Sequence, residues 1–132
     1  MLFRSLEPRE AILRLVEFTF DHHDRNVDFV RIVSIENIHN AEYVKRSDSI
    51  KAMNSNILDA LGTTLRRGAE MGLFRAGLVP LDVHLLINSF CFYRVSNRHT
   101  FSEIFQTDLS DEAVKQRHRE MICESVLRYL QA

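Results

Sequence analysis

The stretch Pro80 to Asn97, PLDVHLLINSFCFYRVSN, constrains the chain most. It reads as one helix that is apolar on almost every side. Val83, Leu86, Ile87 and Phe90 form one stripe; Leu85, Phe92 and Val95 form another, with Cys91 and Tyr93 between. A helix apolar all round has to be covered all round. In a chain of 132 residues, about the size of one domain, the remaining elements cover one face. The other face then calls for a second copy, so the helix predicts a homodimer.

The remainder favours an all-α fold. Only 4 Gly and 2 Pro are present, too few for the tight turns of a β-sandwich, and the long runs between them are free of helix breakers. Pro8 suits the first position of helix one, where its missing N–H costs nothing. Ile12, Leu15, Val16 and Thr19 form the inward stripe of that helix, widened by Leu13 and Phe20, and Asp21 to Asp24 ends it. Asn26 reads as the N-cap of helix two, VDFVRIVSIENIHN, which looks largely buried. Ala41 to Arg46 is a polar connection. Ser47 or Asp48 caps helix three, whose Ile50, Met53, Ile57, Leu61 and Leu65 recur at helical spacing. Gly72 closes it from the left-handed region. Leu73 to Val79 is a loop, the helix from Pro80 is the fourth, and Arg98 to Leu109 is an aromatic-rich connection. Ser110 caps the fifth helix, with Val114, His118, Met121, Ile122, Ser125 and Tyr129 on one stripe, broadened by Val126 and Leu130. The expectation is a bundle of about five main helices forming one domain over residues 1–132.

Charge and cysteine usage exclude several classes. Lys+Arg number 17 against 18 Asp+Glu, a formal net charge of -1. Without a basic surplus, this chain alone has no electrostatic footprint for a phosphate backbone. No apolar run is long enough to span a bilayer. Cys91 and Cys123 sit in apolar helical patterns outside any CxxC, which favours reduced thiols and a cytoplasmic location. The six histidines show no HxxxH or HExxH spacing, so no metal site or cofactor is expected. No serine has a GxSxG context and no glycine-rich phosphate loop exists, which argues against an enzyme.

Three segments carry a family resemblance: SIENIH (Ser34 to His39), GLFRAGLVPLDVHLLI (Gly72 to Ile87) and FYRVSNRHTFSEIFQTDL (Phe92 to Leu109). Together with the helix order from about Pro8 to Gln131 they resemble the C-terminal domain of TetR-family transcriptional repressors. The resemblance implies that the last two long helices, Pro80 to Asn97 and Asp111 to Gln131, pair across a two-fold axis into a four-helix bundle. It also implies that the earlier helices enclose a pocket for a small-molecule effector. The family's helix-turn-helix head has no counterpart in MLFRSLE or in the helices after it, so direct DNA contact is not carried over to this chain.

The expected interface residues are Leu85, Phe92, Met121, Ser125 and Tyr129, burying at least ~1,600 Å² in a stable pair. The expected pocket walls are Phe18, Phe29, Ile32, Met53, Ile57 and Phe90, from stripes facing inward on four helices; the alternative is that they fill a solid core. Arg94 reads either as a clamp for an anionic ligand or as a structural partner for a carboxylate such as Glu36 or for helix-end carbonyls. Glu36, with Asn37 and His39, either presents hydrogen-bonding groups to a ligand or caps its helix end. The functional expectation is a domain sensing a small apolar or anionic ligand. The alternative is a headless interaction protein that heterodimerises with an intact relative without sensing a ligand.

Overall fold

The structure is a computed structural model and describes residues 5–132, apart from the side chain of Met53. Among the described residues there are six α-helices: α1 (Pro8–Arg25), α2 (Val27–Ile38), α3 (Asp48–Glu70), α4 (Pro80–Ser96), α5 (Arg98–Phe105) and α6 (Glu112–Leu130). A short 3-10 turn (Val44–Arg46) lies between α2 and α3. The all-α architecture expected from the sequence is what the chain adopts.

Helix α1 is the central post. Pro8 occupies its first turn, and the Glu7 carboxylate accepts from the Glu10 amide at 3.2 Å. Ala11, Ile12, Val16, Phe20 and His23 point inward at helical spacing, against α3, α4 and α6. The core joins Ile12, Val16 and Phe20 to Leu61 and Leu65 of α3, to Val83, Ile87 and Cys91 of α4, and to Ile122, Val126 and Leu130 of α6. Full burial of each such side chain contributes about 1.5–3 kcal/mol.

The end of α3 follows the sequence closely. Gly72 sits at φ +74°, its N–H donates to the Ala69 carbonyl at 3.1 Å, and the Leu73 N–H donates to the Gly68 carbonyl at 2.8 Å. This is the Schellman arrangement, which satisfies the orphan carbonyls of a helix end. Phe74 is buried against Gly68, and its segment meets the C-terminus: the Arg75 N–H donates to the Leu130 carbonyl at 2.8 Å, beside an isolated bridge between Phe74 and Gln131.

Several expectations are corrected. A sixth helix, α5, replaces the connection expected over 98–109; the Phe101 N–H donates to the Asn97 carbonyl at 2.9 Å, so α5 starts one residue after α4 ends. Its amphipathic face carries Phe101, which meets Tyr93 and Phe105 edge to face or tilted. Helix α6 is capped by Asp111, whose carboxylate accepts from the Val114 amide, and not by Ser110, which donates to Asp108 instead. Asn26 does not cap α2 with its side chain: its Nδ2 donates back to the His22 carbonyl at 2.8 Å and closes α1.

The largest correction concerns burial. Helix α2, expected to be largely buried, buries only Val30, and Phe29, Ile32, Ile35 and Ile38 are exposed. Ile50 and Ile57 are exposed too, because α3 at 23 residues is about 34 Å long and only its C-terminal half lies under the core. Helix α4 divides. Val83, Ile87, Cys91, Arg94 and Val95 are sealed inside the chain, Phe92 is half-buried, and Leu81, Leu85 and Tyr93 face outward. Its own subunit therefore covers more of it than the sequence pattern suggests, Val95 included.

Candidate functional site

Between α1, α3 and α6 lies an open cleft of about 660 Å³, within the ordinary range for small-molecule sites. Leu15 and Phe18 of α1 and Ile57, Ala60 and Leu61 of α3 form its apolar wall, with Leu6 at one end. Arg14, Glu17, Asp21 and Arg119 supply the polar groups. Of the expected wall residues, the structure brings Phe18 and Ile57 together here. Phe29 and Ile32 lie outside the cleft on α2. Ring contacts link Phe18 to His22, stacked with centroids 5.6 Å apart, and His22 to Phe29, edge-on at 6.2 Å. The Met53 side chain lies outside the described residues. Phe90 is half-buried on the other side of the core, edge-on to His118 at 5.9 Å.

The polar groups of the cleft belong to a charged seam between α1 and α6. Glu17, Asp21 and Asp24 recur at spacings of four and three along one face of α1; Lys115 and Arg119 stand four apart on α6. Arg119 Nη2 lies 2.9 Å from Asp21 and 3.7 Å from Glu17, and Lys115 Nζ lies 2.8 Å from Asp24 and 3.3 Å from Glu112. The hydrogen bond from Arg119 to Asp21 pushes the guanidinium pKa up, and that from Lys115 to Asp24 does the same for the ammonium. The Arg119 Nε atom is buried and has no hydrogen-bond partner. Arg119 also borders a smaller recess with Asp24, Lys115 and Gln116.

Arg94 is buried, and its bonds stay inside the fold. Nη2 donates to the Leu109 carbonyl at 2.8 Å, Nε donates to His118 Nδ1 at 3.0 Å, and the guanidinium lies 4.5 Å over the Phe20 ring. This ties α4 to the segment leading into α6, through a loop carbonyl in place of the Glu36 carboxylate or the helix-end carbonyls open in the sequence. Burial lowers the Arg94 pKa, with Asp24 opposing. The bond to His118 requires an unprotonated Nδ1, in keeping with burial, and then Arg94 and Arg117, lowering the His118 pKa. Glu36 is placed far from this: its Oε2 accepts from the Val44 amide at 3.1 Å and its carbonyl accepts from the Ala41 amide at 2.7 Å, holding the turn after α2. His23, also buried, meets Asn88 Oδ1 at 3.2 Å and packs edge-on to Phe92. Burial pushes the Cys91 thiol up to about 12.

A second surface lies on α4 and α6, which pack on one another. Leu81, Leu85 and Tyr93 on α4, and Met121 and Tyr129 on α6, are exposed. Ser125 is exposed between the last two, and Phe92 is half-buried. Leu81, Leu85 and Ser89 recur every four residues, as do Met121, Ser125 and Tyr129, so each helix shows one outward stripe.

Residues 8–126 match the model of the tetracyclin repressor-like C-terminal domain. The chain belongs to that family. It is also 32% identical over 124 residues, 94% of this chain, to the HTH-type transcriptional repressor NicS of Pseudomonas putida, and spans 58% of the length of that relative. Within this TetR-like domain, sequence reasoning missed Glu17, Asp21, Lys115 and Arg119. Acids spaced four and three apart on one helix, and bases four apart on another, were the available signal. Among the described residues, no group of three or more His, Cys, Asp or Glu side chains is arranged to hold a metal ion, and no helix is long and apolar enough to cross a membrane.

Proposed function

We propose that this domain is the effector-sensing and pairing half of a TetR-like transcriptional repressor. Two copies associate through the outward stripes of α4 and α6, and a small molecule occupies a pocket bounded by α1 and α3. The DNA-reading task belongs to a separate helix-turn-helix unit, and the working place is the cytoplasm. The observation that carries the pairing is the row of large apolar side chains left on α4 and α6, with Leu85 64% exposed. Apolar surface of that kind, gathered on packed helices of a small domain, marks an interaction site. Phe18 and Ile57 serve as pocket walls in this reading, with Phe29 and Ile32 at its edge. Leu85, Phe92, Met121, Ser125 and Tyr129 supply the interface.

Light scattering on the purified chain is expected to show a homodimer, with Leu85→Glu shifting it to monomer. A monomer at micromolar concentration overturns the pairing. A library of acids, nucleobases and aromatic compounds screened by melting temperature tests the sensing. A compound at 100 times its Kd adds about 2.7 kcal/mol to stability; a library without a single dose-dependent shift counts against an effector.

A further inference from the structure

The outward face of α4 is prepared for a dry contact. Leu81, Leu85, Ser89 and Tyr93 stand four apart along it, and all four are exposed. The polar side chains on and beside this stripe have partners within the subunit. Ser89 Oγ donates to the Leu86 carbonyl at 3.0 Å. Asn88 donates to the His84 carbonyl at 3.0 Å, and its Oδ1 meets His23 at 3.2 Å. Covering them therefore strands no donor, the usual obstacle to burying polar groups. Of the two charged side chains of α4, Asp82 and Arg94, the second is buried, so a second copy meets the stripe without facing a row of like charges. The area suits a second copy as well. Leu81, Leu85 and Tyr93 of α4 and Met121 and Tyr129 of α6 are between 41% and 64% exposed. At ~100 Å² apiece they bare ~500 Å² of apolar surface. Homodimer interfaces are about 65% apolar, so that surface goes with ~800 Å² per partner, the size of a standard stable interface.

The order of sizes along the stripe selects how two copies meet. In an isologous pair every contact is reciprocal, and crossing helices are closest at the crossing and diverge on either side. A two-fold axis at Leu85 stacks leucine on leucine at the closest point. An axis at Ser89 sets serine on serine and leaves a gap. An axis midway sets Leu85 opposite the partner's Ser89, and the larger Leu81 and Tyr93 opposite one another further out, where the helices leave room. Close packing disfavours the first two arrangements and suits the third. We propose that two copies pair with their α4 helices antiparallel about a two-fold axis between Leu85 and Ser89, each Leu85 seated on the partner's Ser89. Ser125, the small member of the α6 stripe, makes no internal hydrogen bond among the described residues, which leaves Ser89 the better prepared of the two for an apolar cover. The assignment rests on the pairing reading above and adds to it the register and the residues that set it.

The test is cross-linking between full chains. Two tagged forms are co-expressed, one carrying Leu85→Cys and the other Ser89→Cys, and oxidised with copper phenanthroline. A disulfide needs Cα atoms within about 7 Å. The mixed product is expected in several-fold excess over either self-linked one. The parent chain is the background, its Cys91 thiol buried and pushed up to about 12 and its Cys123 thiol raised by burial. A size exchange read by light scattering gives the second measurement. Ser89→Leu and Leu85→Ser are both surface changes, and each is expected to weaken the dimer about tenfold or more, the equivalent of one leucine poorly covered. The double variant restores a large side chain opposite a small one and is expected to return close to the parent. Dimers without an excess of the mixed product overturn the register and leave pairing standing. So does a Leu85→Cys chain that links preferentially to a Ser125→Cys chain, or a double variant no tighter than the single ones. A parent chain that stays monomeric at micromolar concentration overturns the register and the pairing together.

Discussion

Phe20 and Phe29 sit nine positions apart in one connected pair of helices, yet they live in opposite surroundings. Phe20 is 2% exposed, enclosed by α1, α4 and α6 with the Arg94 guanidinium over its ring; Phe29 is 50% exposed on α2. The same division runs along α3, where Leu61 and Leu65 are sealed and Ile50 and Ile57 are not. The molecule is therefore a tight half, built on α1, α4, α6 and the end of α3, joined to an open half made of α2 and the start of α3. Apolar content is similar in both. What differs is whether another element lies across the face, and that is a tertiary fact to which periodicity is blind. Rigidity suits the half proposed to pair. An open apolar half suits recognition, because surface left bare by the fold remains available to a molecule that covers it.

Alanine in place of each phenylalanine tests this division most severely. Phe20→Ala is expected to cost about 3–5 kcal/mol, by loss of transfer energy and creation of a cavity, and to leave Arg94 buried without its ring. Phe29→Ala is expected to cost about 1 kcal/mol or less. Urea midpoints at unchanged m report both. Equal losses would dissolve the division.

A smaller effect is expected where the tight half closes on itself. A Cβ at Gly68 would lie 2.0 Å from the Phe74 ring, so Gly68→Ala forces that ring out of its seat. Overpacking of this kind costs about 1–3 kcal/mol. Since the Phe74 segment is also bonded to the end of α6, hydrogen exchange at Arg75 and Ala132, whose amides donate to the Leu130 and Leu73 carbonyls, is expected to accelerate together with the lowered urea midpoint. Unchanged exchange there would show that the C-terminus is held by something else.

Acid should loosen the tight half next. His23, His84 and His118 all have lowered pKa values, with burial the first cause in each; the Asn88 hydrogen bond opposes it at His23, and the positive charges of Arg94 and Arg117 reinforce it at His118. Below the unfolded value of about 6.5 the unfolded chain binds protons that the folded chain refuses, so stability falls as pH falls. The stabilisation is present at pH 7.5 and is lost progressively from about 6.5 downward through the lower folded values. Melting temperature measured between pH 7.5 and 5 reads this directly. His118→Gln, which keeps an acceptor for Arg94 without a titrating ring, is expected to flatten the slope; a slope unaltered by it would assign the effect to the other two histidines.

Much of the fold was legible in the chain because its signals are local. Pro8, Pro80, Ser47 and Gly72 each mark a helix end by a conformational property that their own residue supplies. The candidate site was less legible. Arg94 finds Leu109 and His118 at 15 and 24 positions' distance, and Arg119 finds Asp21 at 98; no window along the chain contains those pairs. Helix α5 was hidden because eight residues give barely two turns of pattern and two of its three apolar members, Phe101 and Phe105, are aromatic, a composition shared with loops that pack. The burial of α2 was misjudged for the opposite reason: Phe29, Ile32, Ile35 and Ile38 make a strong apolar pattern, and a pattern of that strength does not say whether anything covers it.

The mildest test separates the two exposed surfaces from each other. Ile32 on α2 is 61% exposed and Leu85 on α4 is 64% exposed, so within one chain they are nearly equivalent. If α4 and α6 form the pairing surface and α2 does not, glutamine at the two sites gives different results. Leu85→Gln weakens association, so its melting temperature falls below the parent's at concentrations where the parent pairs and becomes less dependent on protein concentration, because pairing then adds less to stability. Ile32→Gln changes stability by no more than about 0.5 kcal/mol, the range of an uncovered surface position, and leaves the concentration dependence as in the parent chain. A larger loss at Ile32 that vanished on dilution would move the pairing surface to α2. A larger loss independent of concentration would mean that α2 is covered from within the subunit, and the open half would no longer be open.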